Sequence, residues 1–117
     1  MKVIIAGSRN LSSLYPYSFV ESVIEQSGFE ITEVVSGGCR GADASGERWA
    51  KANNIPVKLF PADWKKHGKA AGPIRNEEMA KYADALIAIK VNNSRGTTSM
   101  INLAEKYNLK IYTVELP

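Results

Sequence analysis

Val3-Ile4-Ile5-Ala6-Gly7-Ser8-Arg9 sets a pattern that the rest of the chain repeats. Four apolar residues run without interruption and then break at once into glycine, a small polar residue and arginine. An uninterrupted Val/Ile run is the mark of a strand covered on both faces, because a strand with one wet face alternates instead. Further runs follow at Glu33–Ser36 (around Val34-Val35), Val57–Phe60, Ala85–Ile89 and Lys110–Val114. Between them lie stretches with helical spacing. Phe19, Val20, Val23 and Ile24 form one apolar stripe, ended by Gly28 as a C-cap. Ala42 to Asn53, centred on Trp49, forms a second. Pro73 suits the first position of a third helix running through Met79 and Tyr82, and Met100, Ile101, Ala104 and Tyr107 mark a fourth. Strand and helix alternate throughout, which predicts an α/β fold: a five-stranded parallel sheet with helices on both faces.

The 117 residues suit one domain spanning 1–117. An apolar share of 44% and a charged share of 23% exclude a disordered tail, a collagen-like fibre and a disulfide scaffold. The formal charge of +3 favours anionic ligands without amounting to a nucleic-acid coat. Cys39 is the sole cysteine, so no internal disulfide forms and a reducing compartment is expected. The opening apolar run is too short for a signal peptide, and no stretch approaches the ~20 apolar residues of a membrane helix. A cytoplasmic protein with no membrane partner is expected. The long connection is Pro61 to Gly72, well beyond the ~2–6 residues usual between strand and helix.

In a parallel sheet every strand-to-helix turn emerges at the carboxyl ends of the strands. Read in order, those turns are Gly7-Ser8-Arg9, then Ser36-Gly37-Gly38-Cys39-Arg40-Gly41, then the long segment ending Gly72-Pro73-Ile74-Arg75-Asn76, and last Ser94-Arg95-Gly96-Thr97-Thr98. Each carries arginine and a small polar residue. Glycine lets backbone N–H groups approach a ligand with no Cβ in the way, helix N-termini offer unpaired donors, and arginine matches phosphate oxygens with a planar fork. The combination points to an anion site. Its candidate ligand-binding residues are Gly7, Ser8, Arg9, Ser36, Gly37, Gly38, Arg40, Gly41, Asp43, Arg75, Asn76, Ser94, Gly96 and Thr97. Neither GxGxxG nor GxxxxGK[ST] occurs, which points away from a nicotinamide dehydrogenase and from a P-loop NTPase.

Arg40 precedes a helix start, where a cation is unfavourable unless an anion accompanies it. Asp43 suits either that helix's dipole or a ribose hydroxyl. Cys39 lies beside Arg40 with no histidine nearby in sequence, so a small residue in a tight turn explains it better than a nucleophile. His67 sits among Lys65, Lys66 and Lys69 and fits a basic segment over an anion better than a general base. Trp64 fits stacking on a base or anchoring of its loop. With one histidine, one cysteine and scattered carboxylates no metal site is expected, and no organic cofactor is implied.

Ile5-Ala6-Gly7-Ser8-Arg9, the turn Ser36 to Asp43, Pro61-Ala62-Asp63-Trp64 with His67-Gly68-Lys69-Ala70-Ala71-Gly72-Pro73-Ile74-Arg75-Asn76, and Ser94-Arg95-Gly96-Thr97 together resemble the SLOG superfamily. They are most similar to its small stand-alone branch with the HGKAAGPxRN loop. Relatives in that superfamily include LOG-type nucleoside-monophosphate phosphoribohydrolases, the DNA-processing protein DprA, molybdenum-cofactor carriers and nucleotide-sensing domains of bacterial defence systems. The resemblance implies a Rossmann-like sheet of order 3-2-1-4-5 with a nucleotide-type ligand across the turns of the first and fourth strands. It also implies a departure. LOG-type hydrolases carry a glutamate three residues after the GT threonine, where this chain has Met100. A methionine neither accepts a proton nor stabilises an oxocarbenium ion.

The expected function is therefore binding of a phosphorylated nucleotide or an ADP-ribose-like derivative, as a sensor, carrier or sequestering protein. Phosphoribohydrolase activity, cleaving a nucleotide's N-glycosidic bond with Arg75 and an acid other than position 100 (Glu78 being the best spare carboxylate), is the alternative. DprA-like binding of single-stranded nucleic acid is a further one, weakened by the small net charge. Met100, Ile101, Leu103, Ala104 and Tyr107 form an apolar arc wider than one sheet contact needs, so a homodimer or higher homo-oligomer is expected.

Overall fold

Alternate residues of the two central strands face opposite ways, and each set meets its own pair of helices. The computed structural model describes residues 1–92 and 94–117. Its strands are β1 (Lys2–Gly7), β2 (Glu33–Ser36), β3 (Val57–Leu59), β4 (Ala85–Val91) and β5 (Lys110–Leu116), all parallel in the order β3-β2-β1-β4-β5. The helices are α1 (Leu11–Leu14), α2 (Tyr17–Gln26), α3 (Ala42–Ala52), α4 (Trp64–His67), α5 (Ala71–Tyr82) and α6 (Arg95–Lys106). This is the parallel α/β sheet that the alternation of runs predicts, in the Rossmann-like strand order that the resemblance implies.

Val3, Ile5, Val34, Ala85, Ile87 and Ile89 pack with Val20, Val23 and Ile24 of α2 and with Ala42 and Ala50 of α3. On the other face, Ile4, Ala6, Val35, Leu86 and Ala88 pack with Met79 and Ala80 of α5 and Met100 and Ala104 of α6. Both faces being covered is why the β1 and β4 runs read as unbroken rather than alternating. Each buried Val, Ile or Leu contributes roughly 1.5–3 kcal/mol, so these two strands hold most of the hydrophobic stabilisation. The approach of α3 to β1 is close. A Cβ added at Gly46 would stand 2.9 Å from the Ile5 Cβ.

The order reverses at β1: the chain builds outward to β3 and then crosses back to place β4 on the far side of β1. That crossing explains the length of the segment after β3. It is not irregular as its sequence suggests, since it contains α4 and a 3-10 turn over Gly68–Ala70. Helix α5 begins at Ala71, so Pro73 is its third residue rather than its first. The first four N–H groups of a helix have no intrahelical acceptor, and proline there removes no bond. Gly28 follows the cap residue Ser27 of α2 at φ +71, a left-handed end to the helix.

The apolar arc of α6 divides. Met100 and Ala104 are buried, and Ile101, Leu103 and Tyr107 are half-buried against the same core. No helix among the described residues is long and apolar enough to cross a membrane.

Candidate ligand-binding site

Backbone contacts stitch the strand-to-helix turns together before any ligand is considered. Ser8 Oγ donates to the Val91 carbonyl (3.4 Å) and accepts from the Val91 N–H (3.0 Å), tying the turn after β1 to the end of β4. Gly41, the N-cap of α3, has φ +77 and ψ −125. A side chain there would overlap the Ser8 carbonyl oxygen and approach that of Arg9 to 2.8 Å. Only glycine permits both the conformation and the contact. Ser36 donates to Glu47 Oε2 (2.7 Å) and accepts from the Gly38 N–H (3.1 Å), which shapes the turn after β2.

Above these contacts lies a central cavity of about 490 Å³, at the carboxyl edge where the strand order reverses. Crevices at such switch points are where open α/β sheets bind ligands, and the volume lies in the ~300–1,000 Å³ range of small-molecule sites. Gly7, Ser8, Arg9, Asp43, Arg75, Asn76, Ser94, Gly96 and Thr97 all line it. Ser36 and Gly41 do not; they are buried and build the turns. Gly37 and Gly38 open instead onto a side cavity of about 300 Å³. Arg40 is exposed and lines neither. Arg95, which the sequence groups with the other arginines, lines a groove between α5 and α6 with Glu77 and Lys106.

Two arginines remain at the cavity, and they differ. Arg75 is 8% exposed. Its Nη1 donates to the Gly37 carbonyl (2.6 Å), its Nε to Asn76 Oδ1 (2.9 Å), and its Nη2 reaches Cys39 Sγ (3.8 Å). Gly37 makes room for it, since a Cβ there would lie 2.7 Å from Nη1. Arg9 is exposed, and its guanidinium pairs with no carboxylate among the described residues. The α6 N-terminus adds backbone donors. Its cap residue Ser94 makes no side-chain bond to the first-turn N–H groups, its hydroxyl accepting instead from Thr97 Oγ1 (3.2 Å). Uncapped N–H groups and a guanidinium without a carboxylate partner, lining one cavity, favour an anion there.

Asp43 is the single acid among the lining residues and is 7% exposed. Burial pushes its carboxyl up to about 6, against the opposing pull of N–H groups from Cys39 and Gly37 and of the Arg75 charge. Glu78 is exposed on α5 and lies outside this cavity. Met79 and Met100 also line the cavity, as do Asn10 and Cys39, none of them proposed as ligand contacts from the sequence. Helical spacing marks both methionines as facing the sheet. It does not say that their turns overhang the strand ends. Met100, the departure from the hydrolase pattern, thus stands on the wall of the cavity itself.

The sequence profile of the YspA, cpYpsA-related SLOG family (YAcAr) matches residues 1–67. That span holds β1 to α4, including Gly7–Arg9 and Ser36–Asp43, while Arg75 and the α6 turn lie beyond it. The chain is also similar to the gene 61 protein of Mycobacterium phage D29, at 39% identity over 84 residues covering 67% of each protein. No solved structure gives a significant match.

Proposed function

The chain belongs to the YspA, cpYpsA-related SLOG family, and from that premise we propose that it binds a phosphorylated nucleotide or an ADP-ribose-like derivative in the central cavity. It acts as a sensor, carrier or sequestering protein. The observation that carries this reading is that Arg9, with no carboxylate partner among the described residues, and the uncapped start of α6 line the same cavity. A phosphate supplies the charge that both lack. Arg75 acts differently, since its fork is already engaged with Gly37 and Asn76 and sets the shape of the site. Native mass spectrometry of freshly purified protein tests the reading directly, because a retained ligand identifies itself by mass. Titration calorimetry with AMP and ADP-ribose is the companion measurement, and no heat from either removes the proposal.

Hydrolysis of a nucleotide's N-glycosidic bond is the second reading, favoured by one observation. Asp43 is a buried acid on the cavity wall with its proton held to about pH 6, suited to protonate a leaving base. Release of free base from AMP, GMP or CMP, lost in Asp43→Asn, would establish it. The proposal of a homo-oligomer rests on Ile101, Leu103 and Tyr107, which α6 leaves half-buried. Light scattering at tens of micromolar decides it, and a monomeric particle with and without ligand rejects it.

A further inference from the structure

The side cavity adjoins the central one and shares three of its walls, Arg9, Cys39 and Arg75. Its remaining walls are of another kind. Leu59, Pro61, Ala62 and Trp64 present carbon surface, and Gly37 and Gly38 present bare backbone. Leu59 is 53% exposed and Trp64 54%, so two large apolar side chains lie open on one cavity. Exposed apolar surface gathered at one place marks a binding site rather than chance.

Trp64 is also held in position. Asp63 caps α4 by accepting the Lys66 N–H at Oδ1 (3.1 Å), which fixes the first turn from which Trp64 projects. The far edge of its indole lies over Gly72 at the start of α5, with Cη2 3.6 Å from where a Cβ would stand. Beyond the two shared arginines this cavity offers no cation, so its own walls suit a flat, uncharged group. One molecule with an anionic half and a planar half would span both cavities.

Resting on the nucleotide reading above, we propose that the side cavity is the base subsite: the aromatic base of the ligand stacks on Trp64 between Leu59 and the Gly37-Gly38 backbone while its phosphate lies in the central cavity. Stacking tolerates any base with a π-face, so the subsite selects for an aromatic ring and not for one base.

The test uses the intact chain with ribose 5-phosphate and AMP as probes in titration calorimetry. AMP is expected to bind roughly tenfold or more tightly than ribose 5-phosphate. Trp64→Ala should remove that advantage and leave ribose 5-phosphate binding unchanged, and Trp64→Phe should restore most of it. In a Trp49→Phe background, AMP should quench the remaining Trp64 fluorescence while ribose 5-phosphate should not. Equal affinity for the two probes in the unmodified chain overturns the base subsite and leaves the anion site standing. So does a loss of less than about twofold for AMP in Trp64→Ala. Failure of both probes to bind the unmodified chain overturns the nucleotide reading and this subsite together.

Discussion

Val3, Ile4 and Ile5 of β1 are 0–1% exposed, whereas Val57 and Leu59 of β3, two strands away in the same sheet, are 36% and 53% exposed. The turns that follow them differ in the same way. After β1, Ser8 is locked to Val91, and Gly41 presses on the backbone of Ser8 and Arg9. After β3, Pro61, Ala62 and Trp64 line an open cavity over short helical turns. One sheet edge therefore carries a fixed floor and a wall with free faces. Substitutions in the floor should act on folding, and substitutions in the wall on what binds.

The strongest test of that contrast is a pair of truncations. Ile87→Ala, at a fully buried position of β4, should lower unfolding free energy by about 2–5 kcal/mol. Leu59→Ala should stay within roughly 0.5 kcal/mol. Denaturant titrations giving similar losses for both would erase the distinction. The next effect depends on pH. Asp43 titrates near 3.8 when unfolded and at about 6 when folded, so between those values the folded state holds the extra proton. Stability falls as pH rises through that window, by up to about 3 kcal/mol, since each tenfold difference in proton affinity between the two states is worth ~1.36 kcal/mol. Asp43→Asn should flatten the curve, making the variant no less stable than the parent at pH 7. Unfolding curves at pH 4 and pH 7 check the sign.

Two glycines sharpen the comparison, Gly38 on the wall and Gly41 in the floor. Gly38 and Gly41 have nearly the same φ, +76 and +77, but a Cβ at Gly38 meets nothing within 4 Å while one at Gly41 runs into backbone. Gly38→Ala should cost only the left-handed conformation, about 1–2 kcal/mol. Gly41→Ala should cost clearly more, read as a larger drop in Tm. The smallest effect on stability belongs to Arg9→Ala, within roughly 0.5 kcal/mol. The same change should weaken AMP binding about tenfold or more, since a charge-assisted contact contributes ~1.5–3 kcal/mol. A folded Arg9→Ala variant with unaltered affinity would move the anion elsewhere.

The sheet was legible in the sequence because β1 and β4 are covered on both faces, which leaves an uninterrupted apolar run as its trace. The turns were legible because glycine beside arginine is hard to explain without an anion. Which arginines meet was not. Arg40 and Arg95 each sit one residue from a helix cap, where a small rotation decides between cavity and solvent, and nothing in the local sequence records that rotation. The four-residue helices α1 and α4 left no period to detect. The role of Trp64 stayed open for a similar reason, since an exposed and an anchoring tryptophan look alike until the neighbouring wall is known.

β1 sits between β2 and β4, with Val3 paired to both Val34 and Ala85. During synthesis at ~5–20 residues per second, the second of these partners leaves the ribosome roughly 4–16 seconds after Val3 does. Once β2 has paired, β1 has one edge satisfied and the other bare until β4 arrives, an open template for pairing with a neighbouring chain. The switch point beneath the central cavity is thus also the seam that waits longest for its second strand. A nascent chain halted between β3 and β4 should be the species that chaperones hold most firmly, and its aggregation the main competitor to folding.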